Sequence, residues 1–211
     1  AATSVAMDLG LEFTANKNYD MAIYYFKLTV DNLLQRIKLP AYQLSKEMSD
    51  GLYSDIGQME INIGAAYMDL RKYPSADTHF RRALDMRSRG KQTPEAVASY
   101  FVGYNLLMLN RGADAIPFLL NTKEDFIKNK PDKLQTASYL IVLGFLGWAH
   151  ELAHKRDSAR YYYQACNEFL AQHPLDETIR GIRPGMKQQF LPRIAYVLRF
   201  MARIATQDYE Y

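Results

Sequence analysis

The sequence predicts an all-α chain of packed helical hairpins, and three observations carry that reading. Apolar residues recur at three- and four-residue spacing nearly everywhere, the period of a helix that buries one face. Alternating β-branched runs bounded by turn residues, which would mark strands, are missing. Turn-forming clusters divide the periodic stretches into segments of roughly 15 to 24 residues, comfortable lengths for packed helices.

The breaks fall, in order, at Asn16 to Asn18, Pro40, Asp50-Gly51, Arg71 to Pro74 and Gly90 to Pro94. They continue at Asn110 to Gly112, Asn129 to Pro131, Lys155 to Asp157, His173-Pro174 and Arg183 to Gly185. Gly, Pro and Asn punctuate helices because they tolerate or impose backbone angles that a helix interior does not. Helices joined by the short turns pack antiparallel, and the stretch from Pro40 to Ser54 leaves room for an extra short helix. After the last break, Met186 to Thr206 reads as one amphipathic helix. Its apolar stripe is Phe190, Ile194, Val197, Leu198, Met201 and Ile204, and Pro192 falls in its first turns or kinks it.

Composition bounds the function. The 211 residues allow one good-sized domain or two small ones, and 48% apolar with 23% charged residues excludes global disorder. A net charge of +3 is too small to make nucleic acid or an anionic membrane the default partner. The longest apolar run, Tyr139 to Ala149, is far short of the roughly 20 residues that span a bilayer. No basic segment precedes an apolar run as in a signal peptide. The single cysteine, Cys166, forms no internal disulfide or Cys-based metal cage and reads as a small, inert, buried filler. The chain opens on Ala1 rather than Met, which reads as a processed protein or a piece of a longer one. The compartment stays open, the cytoplasm slightly favoured over a periplasmic home reached by signal-peptide removal.

An internal repeat organises most of the chain. Twelve residues after Gly10, Gly64, Gly103 and Gly147 stand Ala22, Ala76, Ala115 and Ala159, and four further on Phe26, Phe80, Leu119 and Tyr163. One residue before each glycine are Leu9, Ile63, Val102 and Leu146, and three after it Phe13, Tyr67, Leu106 and His150. A glycine on one helix and an alanine on the next let two backbones approach where they cross, with bulky residues filling the space a turn away.

This pattern resembles the tetratricopeptide repeat family over residues 1 to about 172. The glycines stand 54, 39 and 44 residues apart rather than about 34, so the repeats are similar to the longer ones of kinesin light chains and bacterial peptide-sensing regulators. HEAT repeats have a suitable period but lack the Gly and Ala signature. The resemblance implies a right-handed α-solenoid of four hairpins, about 1–39, 52–90, 94–130 and 131–172, with 173–211 as a C-terminal capping helix region. It further implies a concave groove that receives a protein or peptide, lined by Met7, Asp8, Leu11, Ile61, Asn62 and Ala65. Tyr100, Phe101, Tyr104, Gly144, Phe145 and Trp148 complete that lining. Chaperone-binding relatives clamp a carboxylate there with Lys, Arg and Asn; only Asn62 matches. The expected site is therefore an aromatic stripe of Tyr100, Phe101, Tyr104, Phe145 and Trp148, with Met108 nearby and Asn62 for a backbone hydrogen bond.

One catalytic pattern competes. His150-Glu151-Leu152-Ala153-His154 reads H-E-x-x-H, which on a helix sets two imidazoles on one face beside a glutamate, as zinc peptidases require. His150 occupies a packing position, His154 closes its helix, and a third ligand would fall to Glu168 or Glu177. The expectation is no enzyme, no cofactor and no metal. Tyr163 reads as a packing residue with Tyr161 and Tyr162 on the surface. The cluster Arg81, Arg82, Arg87, Arg89 and Lys91 reads as a solvated face. The expected function is that of a protein- or peptide-binding scaffold within a larger regulatory or signalling protein. The alternative is a peptide-responsive sensor gating an attached effector, and exposed terminal repeats are the candidate surfaces for self-association.

Overall fold

The computed structural model describes residues 2–39, 44–90, 95–129, 135–182 and 187–207, and every regular element among them is an α-helix. In chain order these are α1 (Ala2–Ala15), α2 (Tyr19–Ile37), α3 (Lys46–Asp69), α4 (Tyr73–Gly90) and α5 (Glu95–Met108). They are followed by α6 (Gly112–Asn129), α7 (Gln135–Leu152), α8 (Arg156–Gln172), α9 (Leu175–Arg180) and α10 (Lys187–Gln207). The chain forms two compact units, Ala1–Asn105 and Leu106–Tyr211, and each is taken by itself below.

The turns are built alike. Lys17, Arg71, Asn110 and His154, each seven residues past a repeat glycine, adopt left-handed backbone with φ of 59°, 57°, 57° and 57°. The amide after each closes the helix by donating to the carbonyl three residues past the glycine. These bonds run from Asn18 to Phe13, Lys72 to Tyr67, Arg111 to Leu106 and Lys155 to His150, at 2.8 to 2.9 Å. This is the Schellman closure, in which one left-handed residue turns the chain and satisfies the last carbonyls. Glycine usually takes that place; here four side-chain-bearing residues do.

Hairpins are locked by rings lying on glycines. A Cβ built on Gly10 would sit 2.5 Å from the Phe26 ring, on Gly64 2.5 Å from Phe80, and on Gly147 2.6 Å from Tyr163. The glycines therefore face the residue sixteen positions on, while Ala22, Ala76 and Ala159 are buried at the start of the second helix. That refines the expected glycine-to-alanine crossing: the absent Cβ makes room for a ring. Gly103 and Leu119 belong to different units.

In the first unit, Ala22, Ile23, Phe26, Val30 and Leu33 of α2 share one core with Leu52, Ile56, Met59, Ile63 and Ala66 of α3. In the second, α7 packs against α6, α8 and α10. A helix with three neighbours is apolar nearly all round, which accounts for the long run from Tyr139: residues Leu140 to Gly147 are all buried.

Several boundaries differ from expectation. Asp50-Gly51 does not break the chain, since α3 starts at Lys46, with Ser45 Oγ accepting from the Met48 amide at 3.2 Å, and runs through it. Pro40 lies outside the described residues, as do Pro94, Pro131 and Arg183 to Gly185. A short helix, α9, follows Pro174 where none was expected. Pro192 is the sixth residue of α10, and the Ile204 side chain lies outside the described set.

The ring-on-glycine contact makes a paired prediction, readable by urea unfolding. Gly64→Ala should destabilise the chain by about 1–3 kcal/mol, the usual range for overpacking a rigid core. Gly51→Ala, whose Cβ would meet nothing within 4 Å, should stabilise it by about 0.5–1 kcal/mol through helix propensity.

Candidate protein-binding site

In the first unit the site begins with a buried cation. Arg87, in the last turn of α4, is 3% exposed, and its stem passes Gly57, where a Cβ would stand 2.8 Å from its Cγ. Burial pulls its guanidinium below the ordinary value. One of its terminal nitrogens donates to Gln58 Oε1 at 2.7 Å. Because guanidinium has only donors, that bond fixes which way the Gln58 amide points. Gln58 Nε2 then donates to Asn62 Oδ1 at 3.1 Å, which takes one lone pair of that oxygen and orients the amide, with its NH2 group able to donate. Asn62 itself is half-buried.

The aromatics of α5 reach α3 through a shared buried cluster. Ile61 of α3, Ala83 of α4 and Ala98 of α5 form one buried cluster against which Phe101 packs; Asn62 follows Ile61 and Tyr100 precedes Phe101. Phe101 is also stacked on Phe80, with centroids 5.2 Å apart. Tyr100 and Tyr104 are both half-buried and stacked at 6.3 Å. Ala65 and Met108 are half-buried, and Ile61 is 3% exposed. On α1, Met7 packs on the unit's core, whereas Asp8 and Leu11 are exposed.

The α7 candidates in the second unit are differently placed. Phe145 is 2% exposed and so offers no surface. Gly144 is covered by the Val197 side chain of α10. Trp148 lies between Tyr196 and Phe200 of α10, at 5.5 and 5.2 Å. Phe200 is also near-parallel to Tyr163 at 6.5 Å and 11°, the relation Phe101 has to Phe80.

The H-E-x-x-H pattern is interrupted by the end of its helix. α7 ends at Leu152, so His154 sits in the left-handed turn position and shares no helical face with His150. His150 is stacked on Tyr162 at 5.3 Å, and burial with Lys155 nearby lowers its pKa. Glu151 accepts from the Tyr163 hydroxyl at 3.3 Å. Among the described residues no group of three His, Cys, Asp or Glu is placed to hold a metal.

The basic cluster is not one solvated face. Arg87 is buried as above, Arg81 pairs with Asp77 and Arg89 with Asp85, and Lys91 lies outside the described residues. Arg82 reaches the 1%-exposed Glu60 at 3.2 Å, which also takes a 2.6 Å bond from His79 Nδ1. His79 stacks on Tyr67, whose hydroxyl accepts from Lys27 at 3.2 Å. This chain of contacts ties α2, α3 and α4, and neither it nor the Gln58–Arg87 pair was foreseen; only the Gln58 to Asn62 spacing was legible. Tyr162 is buried rather than on the surface. Cys166 is wholly buried, and burial pushes its thiol up to about 12.

The hairpins are tetratricopeptide-like. The glycine, the ring sixteen residues on and the common turn carry that statement. No protein-family model matches the chain, and no curated protein matches it in sequence. Among solved structures it is similar to the MamA protein, at 19% identity over 82% of this chain and 96% of that one, with a TM-score of 0.45. It is also similar to the nearly identical TPR-like repeats of a Podosopora anserina kinesin light chain, at 11% identity over 83% and 99% of the two chains, with a TM-score of 0.49. A single-substitution form of those repeats gives 11%, 81%, 95% and 0.46 for the same quantities.

Two measurements check these placements. Trp148 is the sole tryptophan, so Val197→Asp, which puts a carboxylate against Gly144, should release α10 and red-shift the emission while far-UV dichroism stays helical. His154→Gly should hold or raise the unfolding free energy, by up to about 1 kcal/mol, because glycine takes the left-handed conformation without a Cβ penalty; a loss of stability together with a loss of bound zinc would show a ligand role instead.

Proposed function

We propose that the chain is a protein-interaction module that grips an extended stretch of a partner protein or peptide on the α3 and α5 side of its first unit. Two observations support this: the Arg87–Gln58–Asn62 relay, which orients the Asn62 amide on α3, and the half-buried Tyr100–Tyr104 pair on α5, whose neighbour Phe101 packs on the same buried cluster as Ile61. Main-chain carbonyls of an extended partner recur along its length, and Asn62 is fixed as a donor to one of them. Tyr100 and Tyr104 supply rigid apolar area with polar tips, the combination enriched at interaction hot spots.

Under this reading α10 acts as a cap. It lies on α7 and α8 as the first helix of a further repeat would, with Phe200 over Tyr163 in place of a Phe101-like residue, and it covers Gly144 and packs on the half-buried Trp148. We assign the binding surface to α3 and α5 because Phe145 and Gly144 of α7 are buried. The module carries no catalytic step of its own and would serve as part of a larger regulatory protein.

Peptides selected on the intact chain from a displayed random library provide the test. Tyr104→Ala should weaken their binding at least about tenfold, as hot-spot truncations do. Asn62→Ala should cost about three- to tenfold, the worth of a hydrogen bond left unmade. Raising salt tenfold should change affinity little, because few ions take part. Unchanged affinity in both variants would place the site elsewhere.

A further inference from the structure

The second unit holds a cleft that the proposed function does not use. It lies among α6, α7 and α8 and has a volume of about 220 Å3. That is below the roughly 300–1,000 Å3 of pockets for drug-sized ligands, and the cleft is an open depression with room for about one ring. On α8, Tyr161, Ala165, Glu168 and Gln172 follow one another at helical spacing, and the small Ala165 between larger neighbours makes the depression. Tyr139 and Phe169, with centroids 5.2 Å apart, and Tyr162, edge-on to Tyr161 at 5.2 Å, supply aromatic walls.

Two opposite charges face this cleft. Lys123 of α6 places its ammonium 5.5 Å from the centre of the Tyr162 ring, and Glu168 lines the cleft from α8. Among the described residues, neither has a salt-bridge partner. Tyr162, beside which the ammonium sits, and Glu168 are six residues apart, about 9 Å along the helix axis, and Lys123 and Glu168 form no ion pair with each other. A simple cation is disfavoured by the ammonium already over Tyr162, and a simple anion by Glu168. Burial, then the nearness of other phenols, raises the pKa of both Tyr139 and Tyr162, which keeps them neutral, with hydroxyls able to donate.

We propose that this cleft binds a small aromatic zwitterion whose opposite charges stand apart, with its anionic end on Lys123, its ammonium on Glu168 and its ring against Tyr139 and Phe169. Such a ligand is either a free aromatic metabolite or a short peptide with an aromatic side chain; two residues span about 7 Å when extended. The proposal does not rest on the protein-binding reading, because the cleft is built wholly from α6, α7 and α8.

The test titrates the intact chain with 4-(aminomethyl)benzoate and, separately, with the dipeptide Gly-Phe, following heat and tyrosine chemical shifts. Benzylamine, 4-methylbenzoate and 4-(aminomethyl)cyclohexanecarboxylate each remove one of the three features. Loss of either charge should weaken binding about three- to fivefold, the range for solvent-facing ion pairs, and loss of the aromatic ring about three- to tenfold. Lys123→Met should abolish the difference between 4-(aminomethyl)benzoate and benzylamine, and Glu168→Gln the difference from 4-methylbenzoate. Both side chains are at least partly exposed, so the variants keep the fold, and Tyr104→Ala should leave this binding untouched. Tighter binding of the dipeptide points to a peptide source and of the benzoate to a metabolite, either one supporting the site. Absence of millimolar binding by both probes, or charge preferences that survive both variants, would overturn it.

Discussion

The structure depends on aromatic rings seated on glycines. In three hairpins whose two members share a unit, a ring of the second helix occupies the space a Cβ would fill on the first. Phe26, Phe80 and Tyr163 are each at most 2% exposed, so each contributes about 2–3 kcal/mol of burial and fixes where one helix crosses the other. A sixteen-residue offset between glycine and ring leaves the turn no freedom of length. One residue must reverse the chain with positive φ, and Lys17, Arg71, Asn110 and His154 do so at the same offset. Their strain, of order 1–2 kcal/mol each for a residue with a Cβ, is offset by the rings and closed carbonyls around them.

Within that frame the polar interior is particular to one hairpin. The second hairpin buries Glu60 under His79 and Arg82, and Arg87 beside Gly57, where the equivalent of Glu60 is Ala6, Ser99 or Leu143 in the others. A buried charge needs partners. Glu60 finds the Arg82 guanidinium and the His79 imidazole, and Arg87, in the last turn of α4, finds the Gln58 amide oxygen of α3. The consequence reaches the surface, because a guanidinium that can only donate sets the Gln58 amide, and Gln58 in turn sets Asn62.

Packing around α7 redistributes the aromatic residues. With α6, α8 and α10 against it, Phe145 is interior, while Trp148, though packed on α10, keeps partial exposure as Tyr100 and Tyr104 do. One aromatic stripe in the linear sequence thus has one member, Phe145, in a core and the others at least partly exposed. The same packing leaves Lys123 and Glu168 facing a single cleft although 45 residues separate them.

The repeat of glycine, alanine and ring was legible because each contact joins residues a fixed, short distance apart in sequence, and local periodicity fixes helix class, hairpin pairing and most turn positions. Asp50-Gly51 misled because a glycine with open space around it does not end a helix whose neighbours hold it. For His150 and His154 the sequence already set the five-residue pattern against a packing position and a helix end, and the helix does stop between them. The partner of Arg87, the cover over Trp148 and the burial of Tyr162 were decided only in three dimensions. They arise between elements dozens of residues apart, where burial and the directionality of donors and acceptors select one arrangement from many that the same periodicity permits.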